Sequence, residues 1–169
     1  MTIRSILVAI VVLTIGAGGF AQEGGGTGIL NERVPEEGVL FGGQPTAQQL
    51  QALARAEYKT VIDLRGEGED RGFDETQALK ATGLEYLTLP MTRETMGTHA
   101  TWDTFIEMFR NAEKPVLVHC ASGGRVGAAY YAYLVAEEGM SRAAAREKSG
   151  LTSDRLAAPV DSYLDAKGE

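Results

Sequence analysis

The residues best suited to chemistry lie together in the segment 116–125, which reads VLVHCASGGR. An apolar run leads into Cys120, the only cysteine of the chain, and Arg125 follows after four small residues. A strand that ends in a short glycine-containing loop before a helix aims backbone N–H groups and the helix N-terminus at one place. Such a place stabilises a thiolate and binds an anion beside it. The segment therefore predicts a cysteine-nucleophile site that acts on a tetrahedral oxyanion or on a sulfur donor.

The four residues between Cys120 and Arg125 are predicted to form an anion-binding loop. Glycine adopts backbone conformations that strain other residues, so the two glycines allow consecutive amides to converge on one point. The serine hydroxyl can donate a hydrogen bond to sulfur or to a leaving group. The guanidinium of Arg125 offers a planar fork that matches two oxygens of a phosphate-like group. The predicted loop residues are Ala121, Ser122, Gly123 and Gly124.

His119 precedes the cysteine, and on a strand its side chain points to the opposite face. We therefore expect His119 to support the loop by hydrogen bonding to backbone, and not to act as the base. The alternative interpretation of Cys120 is a buried structural cysteine, because free cysteine is among the most buried residue types. The glycines and the arginine that follow it favour a functional site. His99, the second histidine, is expected at the surface.

Residues 1–21 have the pattern of a secretory signal peptide. Arg4 precedes a mostly apolar run, 6–15, and small residues lead to a cleavage site after Ala21. The run is too short to span a bilayer comfortably. We therefore expect cleavage, no stable membrane insertion of the mature chain, and a periplasmic or secreted protein. Residues 22–33 are glycine-rich and are predicted to be a flexible lead-in.

The remaining residues, 34–169, have the length of one catalytic domain. The chain carries 16 Lys and Arg against 23 Asp and Glu, a net charge of −7. This balance argues against nucleic acid or an anionic membrane surface as the partner. The acidic run 67–70 is expected to border the site or to be a solvated loop, and it lacks the ligand spacing of a metal site. We expect no metal and no cofactor, and the pattern makes no prediction of oligomeric state.

Short apolar strands alternate with helical segments along the domain. Strands are predicted at 39–41, 60–64, 84–89 and 116–118, and helices at 47–56, 73–82, 101–111, 126–138, 142–148 and 153–166. Thr46 and Gln49 predict a capping box at the start of the first helix. The alternation predicts a three-layer α/β fold with a mainly parallel central sheet flanked by helices. Cys120 would lie just beyond the carboxyl end of a strand, where such sheets form their sites.

The segment from His119 to Arg125, between a strand and a helix, resembles the signature of the protein tyrosine and dual-specificity phosphatase superfamily. Within it, the chain is most similar to the beta-lactamase-hydrolase-like phosphatase-like family. The segments that carry this similarity read FGGQPT (41–46), YKTVIDLR (58–65), LTLPM (87–91) and PVLVHCASGGR (115–125). The resemblance implies the phosphatase-type α/β fold, Cys120 as the nucleophile, Arg125 as the anion binder and amides of 121–124 as loop donors. It also implies a phosphorylated protein or a small anion as partner.

Three features depart from the superfamily pattern. Phosphatases of the superfamily have five residues between cysteine and arginine, whereas this chain has four, as rhodanese-type sulfurtransferases do. A tighter ring of amides suits a persulfide sulfur better than a phosphoryl group. The phosphatases also place an Asp after the strand that corresponds to 84–89, where this chain offers only Glu94 as a weak general acid. Val126 replaces the Ser or Thr that usually follows the arginine.

Three functions therefore stay open. The first is a cysteine-dependent phosphoester hydrolase, which the family resemblance favours. The second is a sulfurtransferase that cycles through a persulfide on Cys120, which the loop length and the missing Asp favour. The third is a non-catalytic anion-binding domain that retains the fold, because fold alone does not establish activity.

Overall fold

The structure is a computed structural model that describes residues 26–169, so the predicted signal peptide, 1–21, lies outside the described residues. Five strands form one sheet in the order β1-β2-β5-β3-β4. Strand β1 is antiparallel to β2, and the other neighbouring strands are parallel. The strands are β1 Arg33–Glu36, β2 Val39–Gly42, β3 Thr60–Asp63, β4 Glu85–Thr88 and β5 Val116–His119.

Six α-helices connect and cover these strands. They are α1 Ala47–Arg55, α2 Glu75–Lys80, α3 His99–Asn111, α4 Gly124–Ala136, α5 Arg142–Ser149 and α6 Asp154–Lys167, and a short 3₁₀ turn spans Thr95–Gly97. Side chains cap the N-termini of several of these helices. Thr46 and Gln49 form the predicted capping box of α1, and Asp74 accepts the backbone N–H of Gln77 at the start of α2. Between residues 26 and 169, no helix combines the length and the apolar composition needed to cross a membrane.

Alternate residues of the strands pack against helices on the two faces of the sheet. On one face, Leu40, Val61 and Leu117 meet side chains of α1 and α2. On the other face, Ile62 and Val118 join the larger cluster built from α3, α4, α5 and α6. The predicted apolar stripe of α3 lies in this larger cluster and consists of Trp102, Phe105, Ile106 and Phe109. The sheet is therefore the middle of three layers, as the sequence predicts.

Two elements differ from the sequence prediction. The described residues before β1 contact the domain: Ile29 is buried in the core, and Glu32 accepts hydrogen bonds from Thr27 and Gly28. They lead into β1, an edge strand that the sequence did not indicate. Helix α4 begins at Gly124 and not at residue 126, which brings Arg125 into its first turn.

Candidate active site

Cys120 directly follows β5, the central strand, at the carboxyl end of the parallel part of the sheet. Its backbone N–H donates to the Gly42 carbonyl oxygen at 3.3 Å, which ties it to the end of β2. The loop that follows is tied to the same place, because the Gln44 N–H donates to the Ala121 carbonyl oxygen at 3.1 Å and Gly43 bridges to Ser122. The turn after β2 therefore positions the loop.

Gly123 aims its backbone N–H at the cysteine, and the distance from its nitrogen to Cys120 Sγ is 3.1 Å. Its φ of 90° lies in the left-handed region, which favours glycine. Helix α4 starts at the next residue, so the positive end of its dipole lies beside the sulfur. The loop thus supplies one direct N–H donor and a helix N-terminus to a negatively charged sulfur.

Arg125 is held by a carboxylate from another part of the chain. Its Nη2 donates to Glu69 Oε2 at 2.7 Å, and its Nη1 pairs with Glu69 Oε1. Nη1 also donates to the Met91 carbonyl oxygen at 3.1 Å. The Glu69 hydrogen bond and, after it, the charge of Cys120 raise the pKa of Arg125 above its ordinary value. Arg125 also lowers the pKa of Glu69, so both partners are charged at neutral pH.

Cys120 and Arg125 share the wall of a cavity of about 550 Å³. Cys120 is almost wholly buried, but it lines this cavity, which sets it apart from a cysteine enclosed only by hydrocarbon. The loop between β3 and α2 forms one wall, the segment after β4 forms another, and the start of α6 a third. The lining residues are Gly66, Glu67, Gly68, Glu69, Met91, Thr92, Arg93, Met96, Cys120, Ser122, Gly124, Arg125, Arg155 and Leu156.

A buried charge cluster of Asp63, Arg65, Glu75 and His119 lies beneath the loops that form the cavity. All four side chains are buried, and Asp63 and His119 are direct neighbours across β3 and β5. Arg65 donates through Nε and Nη2 to the two Asp63 oxygens at 2.9 Å each, and it also pairs with Glu75. His119 Nε2 lies 3.0 Å from Glu75 Oε1. The cluster fixes the start of the loop that carries Glu69.

The same cluster raises the question of a metal site. One ligand atom from each of Asp63, Glu75 and His119 lies within 4.8 Å of the other two. The guanidinium of Arg65 contacts both carboxylates, however, and supplies the positive charge that a cation would bring. Burial works to raise the pKa of Asp63, but the hydrogen bonds and the charge of Arg65, together with His119, outweigh it, so the pKa lies below its ordinary value of 3.8. These donors therefore favour an internal ion pair over a cation.

The structure brings together most of the residues predicted for the site and separates two of them. Cys120, Arg125 and parts of the loop meet at the cavity, whereas Glu94 is exposed and is not among its lining residues. His119 does point away from Cys120, but its ring faces the buried carboxylates of Asp63 and Glu75 and not backbone. The expected backbone support by His119 is therefore corrected to a role in the charge cluster.

Sequence reasoning left the roles of two acidic residues open. Glu69 binds the arginine, and Glu67 lines the cavity with an exposed side chain. The acidic run 67–70 was a signal for both, since it follows the β3 strand at the same edge of the sheet as Cys120. Only the folded chain shows which carboxylate of the run meets Arg125.

Comparison with known proteins gives a consistent result. Residues 24–161 match the family described as "DSP-PTPase phosphatase fused to NAD+ Kinase". A beta-lactamase hydrolase-like protein of Agrobacterium fabrum is 31% identical over 100 residues, and one of Xylella fastidiosa is 34% identical over 100 residues. Each match covers 57% of this chain and 22% of the relative. The chain thus spans about a fifth of the length of these relatives.

Solved structures share the fold. A putative phosphatase of Shewanella putrefaciens superposes with a TM-score of 0.68 at 22% identity, over 85% of this chain and 97% of that chain. The P. aeruginosa protein TpbA, in a complex with pTyr, superposes with a TM-score of 0.59 at 23% identity, over 80% and 83% of the two chains. These similarities confirm the three-layer α/β fold predicted from the sequence.

Proposed function

Because this chain belongs to the family of DSP-PTPase phosphatases fused to NAD+ kinase, we propose that it is a cysteine-dependent phosphatase with Cys120 as its nucleophile. Membership agrees with the resemblance predicted from the sequence, and it supports a phosphatase-like hydrolase. The observation that carries the residue assignment is that Cys120 and Arg125 share one cavity wall, with the Gly123 N–H 3.1 Å from the sulfur. As substrate we propose a phosphorylated protein or a small phosphate ester.

In the proposed reaction, the Cys120 thiolate attacks phosphorus and forms an S–P bond while the P–O bond to the leaving group breaks. The Arg125 guanidinium and the amides of 121–124 hold the non-bridging oxygens as charge develops on them. Water then attacks the phosphocysteine, which releases inorganic phosphate and restores the thiolate. Glu69 engages Nη1 and Nη2 of Arg125 but not Nε, and we propose that the Nε edge of the guanidinium contacts substrate.

The leaving oxygen needs a proton, and we propose Glu67 as its donor in place of Glu94. Two carboxyl residues line the cavity, Glu67 and Glu69, and Glu69 is bound to Arg125. Among residues 26–169, the carboxyl group of Glu67 has no arginine partner. Its test compares Glu67→Gln with Glu94→Gln on an alkyl phosphate and on p-nitrophenyl phosphate. Loss of proton donation costs about 10²- to 10⁴-fold on the alkyl ester and much less on the nitrophenyl ester, whose leaving group needs no acid. A loss confined to Glu94→Gln would restore the assignment made from the sequence.

The test of the main proposal is phosphate release from p-nitrophenyl phosphate by the purified protein and by Cys120→Ser. We expect release by the wild-type protein and none above background by the variant, since a serine hydroxyl is a far weaker nucleophile than a thiolate at neutral pH. Trapping the phosphocysteine by acid quench and mass spectrometry would identify the residue directly. Equal release by both proteins would refute Cys120 as nucleophile.

A sulfurtransferase is the second candidate, and two observations favour it. The loop has four residues between Cys120 and Arg125, and Glu69 already occupies the terminal nitrogens of the arginine. In this reaction the thiolate takes the outer sulfur of thiosulfate, so that a Cys120 persulfide forms and sulfite leaves. Cyanide then removes that sulfur as thiocyanate and restores the thiolate. No proton donor is needed in either step.

The two candidates separate in parallel assays on one protein preparation. Thiocyanate formation that disappears in Cys120→Ser, with no phosphate release, would establish the sulfurtransferase. Neither product from the folded wild-type protein would favour the non-catalytic anion-binding domain.

We further propose that the protein is exported and acts in the periplasm or outside the cell, which the N-terminal pattern of residues 1–21 supports. The test is N-terminal sequencing of the protein recovered from a producing cell. A mature chain that begins at residue 22 is expected, and an intact Met1 on all of the protein would refute export by cleavage.

A further inference from the structure

The catalytic cavity continues into a second one of about 370 Å³. The two cavities share four lining residues, Arg93, Met96, Arg155 and Leu156. The second is completed by Gly97 and Pro159, and we call it the extension. It adjoins the catalytic loop directly, because a Cβ placed on Gly124 would lie 3.2 Å from Leu156 Cδ1. A group bound at Cys120 can therefore continue into the extension without leaving the protein surface.

The charge of the extension is opposite to that of the whole chain. Arg93 and Arg155 line it, and no carboxylate does, in a chain with a net charge of −7. Both arginines are exposed. Neither Arg93 nor Arg155 forms a salt bridge among residues 26–169, and Asp154, which precedes Arg155, pairs with Arg146 instead. The two guanidinium groups thus remain available to an anion that comes from outside the chain.

We propose that the extension binds a second anionic group carried by the leaving group of the substrate. This inference rests on the proposed phosphatase function and adds a substrate class to it. The substrate is a phosphomonoester whose leaving group has an apolar part against Met96, Leu156 and Pro159 and a carboxylate or second phosphate between the arginines. Such a group gains two charge-assisted hydrogen-bonding partners.

The test uses two matched pairs of substrates and two variants. One pair is a phosphotyrosine peptide with Asp or with Asn beside the phosphotyrosine, and the other is an aryl phosphate with or without a carboxylate. One variant carries both Arg93→Gln and Arg155→Gln. The matched control is the single variant Arg110→Gln. Arg110 lies on α3 and pairs with Glu137 at the surface, outside both cavities.

We expect the wild-type protein and Arg110→Gln to prefer the anionic member of at least one pair by about 5- to 30-fold in kcat/KM at low salt. The double variant should lose this preference through KM and should still hydrolyse the uncharged member. Added salt should reduce the preference in the wild-type protein, since exposed charges are screened. The pair that shows the preference identifies the source of the second anion as a peptide or a small molecule.

Two results would overturn the inference, and they differ from failure of the proposed function. The wild-type protein could hydrolyse both members of each pair equally, or the double variant could retain the preference. Either result would leave the phosphatase proposal intact. Release of phosphate from none of the four substrates by the folded wild-type protein would overturn both proposals.

Discussion

At the scale of single residues, the site depends on how firmly one guanidinium is held. Arg125 is fixed by the two oxygens of Glu69 and by the Met91 carbonyl oxygen, and its terminal nitrogens are committed to them. A lysine has a single ammonium group and no fork, so it cannot keep both contacts with Glu69 and also contact substrate. We expect Arg125→Lys to lower kcat/KM by about 10²-fold or more in whichever of the two assays is active.

The control for this variant is Arg110→Lys, which changes a surface arginine outside the cavity. It should have wild-type kcat/KM. Full activity of Arg125→Lys would indicate that the guanidinium does not touch substrate.

Glu69 is a positioning residue in this arrangement, and its own substitution tests that role. Glu69→Gln keeps the size of the side chain but removes the charge that orients Arg125. We expect kcat/KM to fall about tenfold, the factor that corresponds to about 1.4 kcal/mol. The loss should be the same across neutral pH, because the Arg125 hydrogen bond lowers the pKa of Glu69 and the carboxylate is already ionised there.

The neighbouring Asp70→Asn is the matched control, since it removes a charge from the same loop without a contact to Arg125. A rise in activity of Glu69→Gln would contradict the positioning role. It would mean that the Glu69 carboxylate competes with substrate for the guanidinium.

The sequence predicted Cys120 and Arg125 because their spacing is local and their chemistry is specific. The partner of Arg125 could not be predicted in the same way, because Glu69 lies 56 positions away and reaches the arginine only after β3 and β5 pair. The role of His119 was wrong for a similar reason. Its direction followed from the strand, but its partners come from β3 and α2.

At the scale of elements, the turn after β2 determines how closely the loop 121–124 approaches the end of the sheet. A Cβ on Gly43 would lie 2.9 Å from the Ala121 carbonyl oxygen and 3.2 Å from the Ser122 Cα. Gly43→Ala must therefore push the loop away from the sheet. We expect kcat/KM to fall about 10²-fold, since a displacement of about 1 Å is enough for such a loss.

We also expect the free energy of urea unfolding of this variant to fall by about 1–3 kcal/mol. The two measurements belong together, because a variant that unfolds at assay temperature would lose activity trivially. Wild-type kcat/KM in a folded Gly43→Ala would contradict the view that this turn positions the loop.

Elements with local signals were predictable, and elements that depend on tertiary pairing were less so. The capping box of α1 is encoded within four residues, Thr46 to Gln49, and the structure has it. Strand β1 was missed because Arg33–Glu36 has no apolar run, contains Pro35 and forms only by pairing with β2. The start of α4 was placed too late because Gly123 and Gly124 were both assigned to the loop, whereas Gly123 is the N-cap of the helix and Gly124 its first residue.

At the scale of the whole molecule, buried ionisable groups limit the pH range of stability. Burial works to raise the pKa of Asp63, but the hydrogen bonds and the charge of Arg65, together with His119, hold it below its ordinary value of 3.8, so folding favours the ionised form. That stabilisation is present above about pH 5 and is lost as pH falls through the lowered pKa. Burial raises the pKa of Tyr130, Tyr131 and Tyr86, and it raises that of Tyr133 to about 12, so folding favours their neutral forms.

The tyrosines make the free energy of unfolding depend on pH in the opposite direction, so that stability is lost at high pH. Their stabilisation is complete below the ordinary tyrosine pKa of 10.0 and is lost as pH rises above it, since the unfolded chain ionises first. We therefore expect the free energy of urea unfolding to be flat from about pH 5 to about pH 9 and to fall on both sides. The measurement is urea unfolding at unit steps of pH from 3 to 11, followed by circular dichroism.

The variant Asp63→Asn tests whether Asp63 causes the loss of stability at low pH. The variant should be less stable at pH 7 by about 3–5 kcal/mol, because Arg65 remains buried and loses one of its two carboxylate partners. It should also lose less stability than the wild-type protein between pH 5 and pH 3, because the group that titrates there is gone. A parallel acid-induced loss in both proteins would assign the effect to other carboxylates, and the buried charge cluster would then not set the acid limit of this fold.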